Sequence, residues 1–196
     1  NLSKKVPPEG SLREGLDVIV RETVRCKSII QELLEFSRDR KPQMVLTDVN
    51  EVIEKAVSIL DNEFRLKHLK LEKILSPQME KICLDGNQME QVFVNILINA
   101  VQATSENGII TVRSAWLPNP RVVRIHIADT GCGISAENLP KVFEPFFSTK
   151  EKGTGLGLAV SYGIVKGHGG TIRVSSVEGK GTEFTIDLPS RGQSEK

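Results

Sequence analysis

Three carboxamide side chains recur at every fourth position within a segment that is otherwise largely apolar. They are Gln91, Asn95 and Asn99. In an α-helix, positions four apart lie one above the other on the same face. Asparagine is a mediocre helix former, and among apolar neighbours its amide needs a polar partner. A magnesium ion, which prefers oxygen ligands, or a phosphate group would be such a partner, whereas a solvent-facing polar stripe is the alternative for this helix taken alone.

An acidic residue and two glycines stand together after the next strand-like segment. They are Asp129, Gly131 and Gly133. A glycine has no Cβ and lets the backbone approach a ligand closely, and a carboxylate can accept a hydrogen bond from an exocyclic amine. On its own, this cluster also fits an ordinary turn.

A second glycine cluster opens a predicted helix. Residues 153–157 read GTGLG and closely follow residues 143–150, which read FEPFFSTK. The first N–H groups of a helix lack intrahelical partners, so a glycine-rich helix start is a ready anion site. The spacing matches neither a Walker A loop nor the G-x-G-x-x-G of dinucleotide-binding folds. Each cluster alone is weak evidence, but their occurrence in this order, each with its partner residues, is implausible as chance.

The elements that carry these clusters form a mixed α/β pattern after Pro42. Helical periodicity and caps predict helices from Asp48 or Asn50 to about Asn62, over 87–104, and from Gly155 to about Gly167. Alternation and turn residues predict strands, the last two as a hairpin, over 68–75, 81–84, 109–115, 122–128, 171–177 and 182–188. Residues 130–154 are predicted to form a long irregular segment of the kind that is usually functional.

A long helix precedes this domain. Apolar or small residues recur in steps of four and three from Leu12 to Leu33, which is typical of a helix that packs on other helices. The patterns divide the chain into a linker or stalk remnant (1–10), a stalk helix (11–41), the mixed domain (42–190) and a polar tail (191–196). A core helix of the same domain is the alternative for 11–41, but its length favours a four-helix bundle.

The charge balance of the chain does not point to any class of partner. Lys and Arg total 26 against 25 Asp and Glu, a balance that gives no reason to expect nucleic acid or a membrane surface. The three cysteines are far apart and lack metal-type pairing, which suits reduced thiols in the cytoplasm. No apolar run approaches the ~20 residues of a membrane helix.

The four segments resemble, in order and spacing, the N, G1, F and G2 boxes of the histidine-kinase ATPase domain, the GHKL or Bergerat fold. The resemblance spans about Asp48 to Pro189, and residues 33–38, LLEFSR, look like the end of the second stalk helix of such kinases. The F-box wording is similar to the nitrogen-regulation branch, which has a short lid over the nucleotide. The fold that this implies is an α+β two-layer sandwich, with a mixed, mostly antiparallel sheet packed on helices.

The resemblance also implies roles for individual residues. Asn99 would ligate Mg²⁺, with Asn95 beside it near the phosphates of ATP, and Asp129 would accept a hydrogen bond from the adenine amine. Asn95 and Lys150 are the expected catalytic residues, and Phe143 and Phe146 would anchor the lid. The remaining nucleotide-binding positions are Gly131, Gly133, Gly153, Thr154, Gly155, Leu156 and Gly157. Many relatives carry a lysine or arginine where this chain has Gln102, which leaves the phosphate charge to Lys150 and to Lys152.

Hydrolysing relatives such as gyrase place a glutamate four residues before the magnesium asparagine, where it activates water. Here that position holds Asn95, which cannot act as a general base near neutral pH. A stalk histidine would then be the nucleophile. The family's acceptor histidine is followed by an acid, and His68, His126 and His168 are not. We therefore expect these three to be structural or surface histidines and the acceptor to lie in a first stalk helix upstream of Asn1.

The implied function is ATP-dependent phosphorylation of a stalk histidine and onward transfer to the receiver domain of a response regulator. The whole protein is expected to be a homodimer and could be membrane-anchored, although this part is expected to be cytoplasmic, without membrane contact and unable to autophosphorylate. One alternative is a GHKL ATPase or serine protein kinase without a stalk histidine. Another is a nucleotide-sensing adaptor without transfer activity.

Overall fold

The computed structural model describes residues 15–20, 22–23, 42–150 and 153–190. The chain divides into two compact units, residues 1–40 and 41–196. In the first unit, residues 15–20 and 22–23 are α-helical, as expected for the long helix. The rest of that helix, the linker 1–10 and the tail 191–196 lie outside the described residues, so the domain boundaries stay predictions. Among the helices that the structure describes, none has the length and apolar character needed to cross a membrane.

The second unit combines seven strands with four α-helices among its described residues. The strands are β1 (Val45–Thr47), β2 (Lys70–Leu75), β3 (Ile82–Leu84), β4 (Ile109–Pro118), β5 (Arg121–Asp129), β6 (Thr171–Val177) and β7 (Gly181–Pro189). The helices are α1 (Val49–Ile59), α2 (Asp61–Leu66), α3 (Gly86–Ala103) and α4 (Gly157–Gly167). A short 3-10 turn covers Leu139–Lys141 within the long segment predicted to be irregular.

Five strands form the main sheet in the order β2-β4-β5-β7-β6. Only the β2–β4 pair is parallel, and the other three pairs are antiparallel. β1 and β3 form a separate antiparallel pair. One face of the sheet packs on the helices, because alternate residues of β5 are buried together with the apolar face of α3. The predicted fold class is confirmed.

Four predicted boundaries are wrong. The strand predicted to end at Ala115 runs on to Pro118, because its pairing with β5 continues to Arg121. The other three differ for local backbone reasons. The first helix does not continue to Asn62, because Leu60 (φ −103°, ψ 10°) ends α1 and begins the separate helix α2. The strand predicted from His68 begins at Lys70, since His68 has a left-handed φ of 51°. α4 begins at Gly157 rather than Gly155, because Gly155 has a φ of 71°. β1 was not predicted at all.

The start of α3 is held by a cluster of polar contacts around Asp85. Its carboxylate accepts hydrogen bonds from the backbone N–H groups of Asn87 and Gln88, which lack intrahelical partners, and from that of Gln43. The Asp85 N–H donates to Nε2 of the buried His168 at 3.0 Å, so the proton of this imidazole sits on Nδ1, which donates to Ile164 O. The end of α4 is thereby joined to the start of α3, and His168 is structural as expected.

Replacing Asp85 with alanine removes this cap, and we expect the free energy of unfolding at pH 7 to fall by about 1–2 kcal/mol. Burial raises the pKa of Asp85, but the N–H groups of Gln43, Gln88 and Asn87 together hold it below its ordinary value. A lowered pKa means that the carboxylate stabilises the fold above the unfolded-state pKa, and this contribution is lost as the pH falls below about 4.

Urea unfolding at pH 7 and at lower pH measures the effect, and the difference between parent and Asp85→Ala should shrink on acidification. Asp61→Ala is the matched control, since Asp61 is exposed and forms an ion pair along its own helix with Arg65. Such pairs contribute about 0.3–0.5 kcal/mol. Equal losses for the two variants would contradict the role given to Asp85.

Candidate functional site

The carboxamide of Asn95 joins α3 to the first turn of α4. Its Nδ2 donates to the carbonyl oxygen of Gly157 at 3.1 Å and to Oγ of Ser161 at 3.3 Å. Ser161 is fully buried, and its hydroxyl donates to the same Gly157 carbonyl. The donor side of Asn95 therefore has a protein partner, which the spacing of the carboxamides alone did not reveal.

Asn99, one turn further along α3, is held in a fixed orientation. Its Nδ2 donates to the backbone oxygen of Asn95 at 3.0 Å, and its Oδ1 accepts from Nζ of Lys150 at 2.7 Å. The same ammonium donates to Oε1 of Gln102 at 2.6 Å. Lys150 thus lies against the polar face of α3. Gln102 was not predicted to take part, although its position three residues after Asn99 puts both side chains on one helix face.

The ammonium of Lys150 is crowded although the residue as a whole is exposed. Desolvation of this group lowers the pKa of Lys150, and the charge of Lys67 adds to that effect. The nearby Cys132 and Asp129 act in the opposite direction without cancelling it. Lys150, the last residue of the aromatic segment 143–150 (FEPFFSTK), is therefore within electrostatic reach of Asp129 at the end of β5.

Asp129 is the last residue of β5 and only 9% exposed. Its Oδ1 accepts hydrogen bonds from the backbone N–H groups of Gly131 at 2.8 Å and Thr182 at 3.3 Å. Burial raises the pKa of Asp129, and these two N–H groups together with Lys150 offset only part of the rise. The structure thus holds a desolvated carboxyl group rigidly, at the position predicted to recognise an amine.

The two glycines after Asp129 allow a close approach between the loop and its surroundings. A Cβ on Gly131 would lie 2.6 Å from the carbonyl oxygen of Ala103, at the end of α3. Gly133 has a φ of 70°, and a Cβ there would lie 2.2 Å from the backbone oxygen of Val177. Cys132 N also donates to Ala103 O at 3.1 Å. Packing alone therefore requires glycine at both positions, and their approach to a bound base stays a prediction.

The aromatic segment is fastened to the glycine cluster before α4. Phe146 N donates to Gly155 O at 3.1 Å, and a Cβ on Gly155 would lie 2.4 Å from the carbonyl carbon of Phe146. Gly153 N donates to Lys150 O at 3.1 Å. Leu156 N donates to Oγ1 of Thr154 at 3.4 Å, so one N–H before the helix start is already engaged.

The aromatic residues of this segment differ in their environment. The Phe143 ring packs against Tyr162 and Phe184, with ring centroids 5.4 and 6.4 Å away. Phe146 is 66% exposed and has a left-handed φ of 67°, so the expectation that it also anchors the segment is wrong for this conformation.

The structure brings all the predicted clusters together. Helix α3 contacts α4 through Asn95 and contacts Lys150 through Asn99. Its last residue, Ala103, contacts the loop after Asp129. Asn99 Oδ1 already accepts an ammonium, so this neutral oxygen sits where positive charge is tolerated. Among the described residues no group of three or more His, Cys, Asp or Glu could hold a metal by itself. Mg²⁺ fits this donor set because it keeps several waters and takes further ligands from bound phosphates.

Asp129→Asn should leave the chain at least as stable as the parent at pH 7. Because the folded-state pKa of Asp129 is raised, its stabilising contribution is complete below the unfolded-state pKa and is lost as the pH rises through the folded value. The variant keeps an acceptor oxygen without the buried charge. Urea unfolding between about pH 4, near the ordinary Asp pKa, and about pH 7 should show the stability difference between variant and parent shrinking at the acidic end. The difference in free energy of unfolding between variant and parent is measured at both pH values. A variant that loses more stability relative to the parent at pH 7 than at pH 4 would contradict this account.

Comparison with known proteins places this architecture in a family. Residues 84–192 match the family described as "Histidine kinase-, DNA gyrase B-, and HSP90-like ATPase". The sensor histidine kinase ZraS of Klebsiella oxytoca is 37% identical over 97% of this chain and 41% of its own length, so the chain spans less than half of this curated relative.

Two solved structures of the histidine kinase ThkA are similar to this chain. Its catalytic domain is 30% identical, with a TM-score of 0.69 over 76% of this chain and 96% of that one. ThkA in complex with the response regulator protein TrrA is 26% identical, with a TM-score of 0.79 over 98% of this chain and 55% of that one. The family match covers more than half of the chain, and it agrees with the fold and with the motifs that the fold assembles. The chain belongs to the histidine kinase-, DNA gyrase B- and HSP90-like ATPase family.

Proposed function

We propose that this chain contains the ATP-binding catalytic domain of a two-component sensor histidine kinase. It transfers the γ-phosphate of ATP to a histidine on the dimerisation stalk, from which the phosphate passes to an aspartate of a response regulator. The observation that carries the proposal is the convergence of Asn99, Asp129, Lys150 and the start of α4 on one region, with Asn95 where hydrolysing relatives have their general base.

The nucleotide would lie between α3, the loop after β5 and the start of α4. The fixed carboxylate of Asp129 accepts a hydrogen bond from the exocyclic amine of adenine, and Gly131 and Gly133 form the loop against which the base lies. Lys150 and the backbone N–H groups of Gly155 and Gly157 hold the phosphates, because an ammonium and a helix start both attract anions. Asn99, with Asn95 beside it, holds Mg²⁺, which when bound neutralises phosphate charge.

Transfer to a histidine, rather than hydrolysis, follows from the chemistry of Asn95. An amide cannot take a proton from water near neutral pH, and both donors of this amide face α4 through Gly157 and Ser161. Phosphoryl transfer to an imidazole needs mainly alignment and charge stabilisation, which Lys150 and the helix start provide.

The proposed partners follow from the relatives. ZraS is a sensor histidine kinase, and ThkA has been solved with a response regulator, which supports a receiver domain as the partner of this protein. A homodimer formed through the stalk and a cytoplasmic site of action complete the proposal. The alternatives are a hydrolysing ATPase, disfavoured by Asn95, and an adaptor that binds nucleotide without transfer.

Mixing the chain with radiolabelled Mg-ATP and a separate stalk fragment that carries the acceptor histidine distinguishes these functions. We expect acid-labile, base-stable label on the fragment, little steady-state release of phosphate and no stoichiometric label on His68, His126 or His168. Lys150→Met should slow the transfer by about 10- to 100-fold, because it removes a charge-assisted contact to phosphate.

Lys141→Met is the matched control, since Lys141 is an exposed lysine of the same segment on the turn Leu139–Lys141, and it should leave transfer unchanged. Rapid phosphate release without labelling of the fragment would identify an ATPase instead. Tight nucleotide binding with neither reaction would identify an adaptor.

A further inference from the structure

The side chain of Gln102 has no role in the functions considered so far, yet it makes the shortest contact of Lys150. The ammonium donates to Gln102 Oε1 at 2.6 Å and to Asn99 Oδ1 at 2.7 Å. The two oxygens come from positions three apart on α3, so they stand side by side on one face of the helix. Hydrogen bonds from an ionised donor are shorter and stronger than those between neutral groups.

The chemistry of Gln102 suits a reversible hold on a lysine. An amide oxygen attracts the ammonium without the full charge of a carboxylate, so the lysine can be released when a better anionic partner arrives. A basic side chain at the same position would repel Lys150 at this distance. The amide of Asn99 cannot rotate freely to follow the lysine, because its Nδ2 is bonded to the backbone of Asn95.

We propose that Gln102 is a positioning residue that keeps the lid lysine over the Asn99 oxygen in the nucleotide-free protein, so that the incoming metal–nucleotide must displace Lys150. The inference rests on the proposed function, because it takes Asn99 as the metal-binding oxygen. A divalent cation and an ammonium on the same amide oxygen would repel each other strongly. Lys150 therefore leaves Asn99 when the metal arrives and moves to the phosphates.

This arrangement predicts the sign of a substitution effect. Contacts made only in the nucleotide-free state lower the apparent affinity, because part of the binding free energy is used to break them. Removing the Gln102 oxygen weakens the nucleotide-free state in which Lys150 lies on Asn99, and it leaves the phosphate contact of Lys150 intact. Loss of Gln102 should therefore tighten binding, whereas a residue that served only the bound state or the fold would weaken it or have no effect.

Calorimetric titration of Gln102→Leu with Mg-ADP and with a non-hydrolysable Mg-ATP analogue tests this prediction. We expect dissociation constants about two- to fivefold lower than those of the parent, the range for an exposed charged contact. In a Lys150→Met background the same substitution should change the affinity by less than about 1.5-fold, since the coupling between contacting residues is then absent. Gln102→Ala is a second variant, with the same expected sign.

Hydrogen exchange of the nucleotide-free protein gives a readout that needs no ligand. Amides of residues 146–150 should exchange faster in Gln102→Leu than in the parent, with the core strands unchanged. Unchanged or weaker nucleotide binding by both Gln102 variants, in a parent that binds, would overturn this inference and leave the proposed function standing. A parent that binds no nucleotide would overturn the proposed function. If, in addition, residues 146–150 exchange at the same rate in Gln102→Leu and in the parent, the contact between Gln102 and Lys150 does not hold the lysine and this inference is overturned as well.

Discussion

Helix α3 contacts every other part of the candidate site through its polar groups, and the amide of Asn95 is the central contact. Its bonds to Gly157 and Ser161 fix the distance between α3 and the start of α4. One turn later, Asn99 receives the lysine of the aromatic segment, and the last carbonyl of the helix, that of Ala103, receives the loop after Asp129. The apolar face of the same helix is buried in the core, so the polar groups of the site are attached to a tightly packed helix.

The charges of the site are held in states that cost stability. Burial raises the pKa of Asp129 and lowers that of Lys150, which means that each ionised form is less favourable than it would be in water. Such opposed shifts within one region are more typical of binding and catalytic sites than of structural ion pairs. The contrast with Asp187 is instructive, because its hydrogen bond to Arg124 lowers its pKa and holds strands β5 and β7 together.

Periodicity located most elements because it reflects burial. α3 was predicted within one residue at each end, since its apolar face and its capping region are both visible in the sequence. β1 left no such signal, because Val45 and Leu46 are 58% and 59% exposed and only the backbone pairing with β3 makes this segment a strand. The end of α1 at Leu60 and the delayed start of β2 at Lys70 likewise depend on backbone angles that composition does not reveal.

The residue types of the site could be read from motifs, but their contacts could not. The bond between Gln102 and Lys150 and that between Asn95 and Gly157 join positions 48 and 62 residues apart, so they exist only once the sheet has brought these segments together. The steric need for Gly131 also becomes visible only when Ala103 is seen beside it. Family resemblance supplied the roles, and the fold supplied a second, structural reason for several of the same residues.

The measurement that tests the central claim most directly is a crystal structure of this chain with Mg²⁺ and a non-hydrolysable ATP analogue. The account predicts the adenine amine on the Asp129 carboxylate, the metal on Asn99 Oδ1 and Nζ of Lys150 moved from Asn99 to a phosphate oxygen. A nucleotide bound away from α3, or a metal–nucleotide in place with Lys150 still on Asn99, would contradict it.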